Sequence, residues 1–180
     1  MGIPFGNRRS ESPDLLVHKR HRCPVGQTLR GVQLDLMVQI QCHCGNIRLR
    51  FHTEQSPTEL PQRRCLCGFC ASHGAVYTSD RDGRVEIEVK DAKLVSRYRN
   101  PDSISAHTMF FLVCSVCGVP PIAVSEIDGK EYAVINIRRG CTPRIELDQV
   151  ADMDFDSEAL EPRLERRKAT WIPEVSWSTE

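Results

Sequence analysis

The chain has no surplus of charge of either sign: 24 Lys and Arg face 24 Asp and Glu across 180 residues. A dedicated nucleic-acid binder usually carries a basic excess, and that excess is missing. Aromatic residues are scarce, at 6%, so few rings are available for bases to stack on. Long apolar runs are missing as well. The stretch Met109–Val124 is broken by two cysteines and Pro120-Pro121, and it falls short of the roughly 18–20 residues that a membrane-spanning helix needs. The first thirty residues lack the apolar core of a secretory signal. No internal repeat or low-complexity tract is present. These absences predict a cytoplasmic or nuclear protein that keeps its thiols reduced, crosses no membrane and offers no nucleic-acid surface on its folded part.

Cysteine, by contrast, is plentiful, with nine in the chain. Seven fall in three tight clusters: Cys42 and Cys44, then Cys65, Cys67 and Cys70, then Cys114 and Cys117. In a reduced protein, spaced cysteines read as metal ligands rather than disulfides. A closed structural zinc takes four such ligands, whereas an open one takes three and keeps a position free. Two zinc ions, one closed and one open, account for all seven. Cys42-His43-Cys44-Gly45 and Cys114-Ser115-Val116-Cys117-Gly118 both lie at strand-to-strand turns. Each has the form of a zinc knuckle, with a glycine relieving the tight backbone. Two distant knuckles can complete one tetrahedron. The competing reading is that these are buried core cysteines.

The triple Cys65-Leu66-Cys67-Gly68-Phe69-Cys70 suits one further ion. His73, Cys141 or Cys23 would close that site if any of them reached it. The Cys67–Cys70 spacing also matches a redox pair. Redox chemistry of that kind needs a helix behind the first cysteine, and the β-favouring Val76-Tyr77-Thr78 follows soon after. His43, between two ligands, is expected to point outward.

Residues 1–36 read as a disordered basic tail, and residues 37–175 as one zinc-binding β domain, with its last part, 143–175, the least patterned. Ile47–Phe51 alternates apolar and polar, as a half-buried strand does. Further strands are expected at Val38–Gln41, Gly74–Thr78, Arg84–Lys90, Leu94–Arg99, Thr108–Val113, Pro121–Ile127 and Glu131–Ile137. Asp128-Gly129 makes the turn of the final hairpin. The expected class is therefore mainly β, with short antiparallel strands. Ser157–Lys168 is read as a short helical turn or a solvated loop, because Pro162 interrupts it. Ala169–Pro173 is apolar enough to pack back on the core.

The order of clusters resembles one family. Cys-x-Cys-Gly, then Cys-x-Cys-x-x-Cys with Gly74-Ala75 shortly after, then Phe111-x-x-Cys114-x-x-Cys117-Gly118, is similar to the glutathione-dependent formaldehyde-activating enzymes, a family that includes centromere protein V. Asn136-Ile137-Arg138 and Trp171-Ile172 extend the resemblance. It implies twisted antiparallel sheets pinned by zinc, like the β-tent of the Rab-exchange zinc proteins. It implies that Cys42, Cys44, Cys114 and Cys117 hold a structural zinc. Cys65, Cys67 and Cys70 would hold a second zinc that receives the glutathione thiol. The implied activity is a carbon–sulfur lyase acting on S-hydroxymethylglutathione. Arg63 and Arg64, just before the triple, would then attract glutathione carboxylates. The alternative is a non-catalytic binding scaffold of the same fold.

Overall fold

In the computed structural model, residues 36–138 and 140–179 are described. Apart from Leu36, the expected tail lies outside them, as does Cys23. The chain runs β1 (Leu36–Gln41), β2 (Ile47–Thr53), β3 (Gln62–Cys65), α1 (Gly68–Ser72), β4 (Tyr77–Thr78), β5 (Arg84–Val89), β6 (Val95–Tyr98) and β7 (Met109–Cys114). It continues through β8 (Ile122–Ile127), β9 (Lys130–Asn136), β10 (Cys141–Thr142), β11 (Val150–Met153), α2 (Leu160–Thr170) and β12 (Glu174–Thr179).

The strands form two sheets, in the orders β10-β1-β2-β5-β12 and β11-β3-β4-β9-β8-β7-β6. The mainly β expectation holds, but both sheets are mixed. β11 runs parallel to β3, and β12 runs parallel to β5. A parallel neighbour needs a crossover rather than a tight turn, and the chain after residue 149 supplies both late strands.

Strand alternation decides what each sheet covers. Val38 and Ile40 of β1, Leu49 and Phe51 of β2, and Val85 and Ile87 of β5 turn one face of the smaller sheet inward. Phe110 and Leu112 of β7, Ile122 and Val124 of β8, and Ile135 of β9 meet them in the same core. Each large side chain removed from water this way contributes about 1.5–3 kcal/mol. Phe111, Ala123 and Val134 point from the opposite face of the larger sheet into a second cluster with Cys70, Tyr77 and Trp171. The unbroken apolar run of β7 follows, because a strand buried on both faces has no polar side to present. This second face carries the candidate site.

The turns obey their chemistry. Asp128 (φ 52°) and Gly129 (φ 74°) close the β8–β9 hairpin, the left-handed pair that a two-residue hairpin needs. Asn136 is buried and joins three segments. Its amide nitrogen donates to Pro120 O, and its oxygen accepts from the backbone N–H groups of Val76 and Arg138.

α2 corrects an expectation. It is an eleven-residue helix, not a turn or a solvated loop. Pro162 is its third residue, and the first intrahelical bond, Arg163 N–H to Ala159 O (3.2 Å), falls just after it. At that position a proline lacks only an N–H that the helix would leave unpaired anyway. Beyond α2, Ile172 exchanges two 2.9 Å backbone hydrogen bonds with Ala133 and is fully buried, as expected for the Ala169–Pro173 segment.

Candidate metal centres

The β1–β2 turn bends tightly because Gly45 N–H reaches Cys42 O (3.0 Å) and Gly45 adopts φ 76°. The β7–β8 connection repeats the device, with Gly118 N–H on Cys114 O (2.8 Å) and Gly118 at φ 72°. A side chain would be strained at either glycine. The two turns bring Cys42, Cys44, Cys114 and Cys117 together, with all four sulfurs within 4.8 Å of one another. Cys42 and Cys44 are 3.6 Å apart, and Cys44 and Cys114 are 3.4 Å apart. One pair comes from each sheet, so the cluster fastens the sheets at one end. The core-cysteine reading does not fit Cys44, which is exposed. His43 is exposed, as expected.

These thiols are unequal. Burial pushes Cys114 up to about 12, against N–H donors from Cys117 and Val116. Burial also raises Cys117, but N–H groups of Val119 and Cys44 outweigh it and bring the thiol down to about 6. Burial likewise raises Cys42. Crowded thiols resist becoming four thiolates until a cation sits among them. The donor set can therefore hold a metal ion.

The second centre is local. β3 ends at Cys65, Cys67 stands at the start of α1, and Cys70 lies within α1. Their sulfurs also lie within 4.8 Å of one another. A single helical turn thus follows Cys67, where sequence pattern suggested strand almost at once. The thiols of Cys65 and Cys70 bring Cys67 down to about 2, helped by the N–H groups of Cys70 and Phe69. Cys70 is raised, first by its two cysteine neighbours and then by burial. One negative charge is easily held here, and a cation is needed for three. All three sulfurs, and not Cys67 and Cys70 alone, belong to the cluster.

No fourth ligand joins them among the described residues. His73 has Nδ1 2.8 Å from Phe69 O, and its ring packs on Phe69. Cys141 sits on β10, where its sulfur accepts from Ile145 N–H at 3.4 Å. Tyr77 Oη lies 3.7 Å from Cys70 Sγ. Burial and the adjacent Cys70 hold the Tyr77 phenol protonated.

A cavity of about 990 Å³ opens on this second centre, lined by Cys65, Cys67 and Cys70. Along its side Phe69 stacks on Tyr98 at 4.6 Å and packs tilted against Phe111 at 4.3 Å. Arg63 lines it and donates to Ser79 Oγ at 3.0 Å. Arg64 projects from the other face of β3 and bonds Asp152 of β11 at 2.6 Å, both side chains being exposed. Three arginines of α2 that sequence reading missed, Arg163, Arg166 and Arg167, complete the lining. Their positions i, i+3 and i+4 place them on one helix face. That spacing was the available signal, and it was hidden by reading the segment as solvated.

The fold and site define a class: a mainly β protein that gathers seven cysteines into one four-thiol and one three-thiol centre, the latter opening on a cavity. The chain belongs to the glutathione-dependent formaldehyde-activating enzyme family, whose sequence profile matches residues 37–153. The match contains both centres and ends where β11 ends, before α2. Among solved structures, a Rhodobacter sphaeroides protein is similar, with 22% identity and a TM-score of 0.40, over 78% of this chain and 99% of that one. No curated protein matches. Among the described residues, no helix is long and apolar enough to cross a membrane.

Proposed function

We propose that the protein is a zinc-dependent carbon–sulfur lyase that interconverts a glutathione–aldehyde adduct of the S-hydroxymethylglutathione type with glutathione and aldehyde. The observation that carries this reading is the three-thiol centre without a fourth ligand among the described residues, open to a cavity, in a chain of this family.

Zinc fits the donor sets. All seven ligands are soft sulfurs, and the 3.4–3.6 Å spacings in the four-thiol cluster lie near the roughly 3.8 Å edge of a tetrahedron with 2.3 Å Zn–S bonds. Cys42, Cys44, Cys114 and Cys117 would hold the structural ion, and Cys65, Cys67 and Cys70 the second. Bound at the second site, zinc would accept the substrate sulfur as a thiolate.

The chain's own residues do the rest. Phe69, Tyr98 and Phe111 wall the sulfur end of the cavity with apolar surface. Tyr77 keeps its proton beside Cys70 Sγ and steadies that ligand. Arg63 faces the cavity and offers a guanidinium to a glutathione carboxylate; Arg64, spent on Asp152, braces β3. In the lyase direction the carbon–sulfur bond breaks and sulfur keeps the electron pair. The adduct's hydroxyl loses its proton to water as the carbonyl forms. In the other direction, gathering thiol and aldehyde at one centre supplies proximity.

The test is the cobalt-substituted protein, whose visible and charge-transfer bands count sulfur ligands. Glutathione should raise the count at the second site, and S-methylglutathione, which has no ionisable thiol, should not. Identical spectra with both ligands would mean a closed site and a scaffold rather than a lyase.

A further inference from the structure

We propose that α2 supplies a carboxylate-binding wall to this cavity, centred on Arg167, which selects thiols that carry a carboxylate. The inference rests on the lyase reading only for the sulfur end of the ligand.

Arg167 is 4% exposed, yet it lines the cavity. Its partners are all neutral. Nη1 donates to Ser125 Oγ (3.1 Å), and Nη2 donates to Ser105 Oγ (2.9 Å) and Met109 Sδ (3.2 Å). The guanidinium stands 4.9 Å from the Trp171 ring. Its Nε–H, also buried, has no acceptor at all. A charge removed from water without a counter-ion is costly, and folds that keep one generally compensate it.

The neighbours do not supply that compensation. Arg166 is held in a two-bond fork by Glu158, at 2.8 and 2.7 Å. Arg163 Nε lies 3.4 Å from the same carboxylate, its Nη2 donates to the carbonyls of Phe155 and Glu158, and its Nη1 donates to Ser103 Oγ at 3.5 Å. Arg63 rests on the Ser79 hydroxyl. Glu158 thus contacts two of the four guanidiniums, and no carboxylate among the described residues touches Arg167 or Arg63. Asp102 and Asp156 also line the cavity, but both are exposed and their fields are screened by water. Three thiolates around one divalent ion leave a single negative charge. Burial, with repulsion from Arg166 and Arg163, lowers Arg167 to about 10, and the fields of Glu158 and Cys65 offset this only in part.

The cavity therefore has a lining of two unlike kinds. Three soft sulfurs form one part of its lining, and guanidiniums of which Arg163 and Arg167 each keep an unused Nε–H form another. A single ligand satisfies both if it carries a thiol and a carboxylate. A volume of about 990 Å³ admits a molecule of peptide size. The guanidinium wall comes from residues beyond the 37–153 family match, so it is an addition to what the family profile describes.

Calorimetric titration of the zinc-loaded full chain tests this with three ligands: glutathione, its diethyl ester and S-methylglutathione. Glutathione should bind at least about tenfold tighter than the ester, equivalent to some 1.4 kcal/mol. Arg167→Gln should reduce that preference more than Arg63→Gln does, and leave ester binding unchanged. Equal affinity for acid and ester in the unmodified protein overturns the proposal even if the variant fails to fold, and in that case Arg167→Lys, which keeps the charge, replaces it. An equal weakening of both ligands by Arg167→Gln also overturns it, because the residue is then structural. If glutathione and S-methylglutathione bind equally and both depend on Arg167, the carboxylate wall stands and the sulfur reading falls.

Discussion

Cys42 and Cys114 do two jobs, since both are fully buried among Ile47, Leu112 and the rest of the main core while their sulfurs face the four-thiol centre. Losing a ligand there removes metal and packing together. Structural zinc contributes of order ten kcal/mol to the folding of small metal-dependent domains. Cys117→Ser should therefore abolish the cooperative melt seen by circular dichroism. Cys67→Ser should keep the β signal, because its three ligands span only six residues and pin little chain. Equal unfolding in both variants would sink the division of labour. Glu158 is the other telling residue. The hydrogen bonds from Arg166 hold its carboxyl below the ordinary range. Its folded pKa is depressed, so its stabilisation is complete above the unfolded value, about 4.3, and fades as pH falls through the lower folded value. Urea midpoints of wild type and Glu158→Gln should thus differ at pH 7 and converge as the pH falls through the depressed folded value. A gap that stays constant with pH would remove the ion pair from the account.

At the scale of elements, Gly83 shows how closely β5 begins against β2. A Cβ there would meet His52 O at 2.8 Å and the Phe51 ring at 2.9 Å. Because the first obstacle is backbone, Gly83→Ala should destabilise by roughly 1–3 kcal/mol, read as a lower denaturation midpoint with an unchanged slope. Elements like this hairpin region were legible in the chain, since alternation in Ile47–Phe51 and the Asp128-Gly129 turn are local signals. The metal clusters were legible for the same reason: ligand spacing within a knuckle is set by a few consecutive residues. α2 was not. A row of arginines looks solvated until the Ser103–Met109 segment, some sixty positions earlier, folds over it. The parallel pairings of β11 and β12 were equally hidden, because their partners lie about ninety residues away and β12 is almost wholly exposed. Arg64 faced the same limit, for only the β3–β11 register reveals that Asp152 stands opposite it.

On the scale of the whole molecule, the last described stretch ties the two sheets together. β11 is an edge strand of the larger sheet and β12 an edge strand of the smaller one, and α2 runs between them. Each edge strand has one neighbouring strand, but Ile172 between them is buried and bonded to Ala133 of β9, so lifting the 150–179 segment also breaks those two bonds. Such an opening would act as the release of a latch, uncovering the cavity and setting Arg167 loose in water. Local opening of this kind has its own free energy, smaller than that of global unfolding. Amides of Val150–Met153 and Glu174–Thr179 should then exchange with deuterium sooner than those of β8 and β9, and the two groups should do so at matching rates. A ligand that bridges the three sulfurs and α2 would bind only the closed latch, so occupancy must slow exchange in two strands belonging to different sheets, neither of which it touches through more than one end.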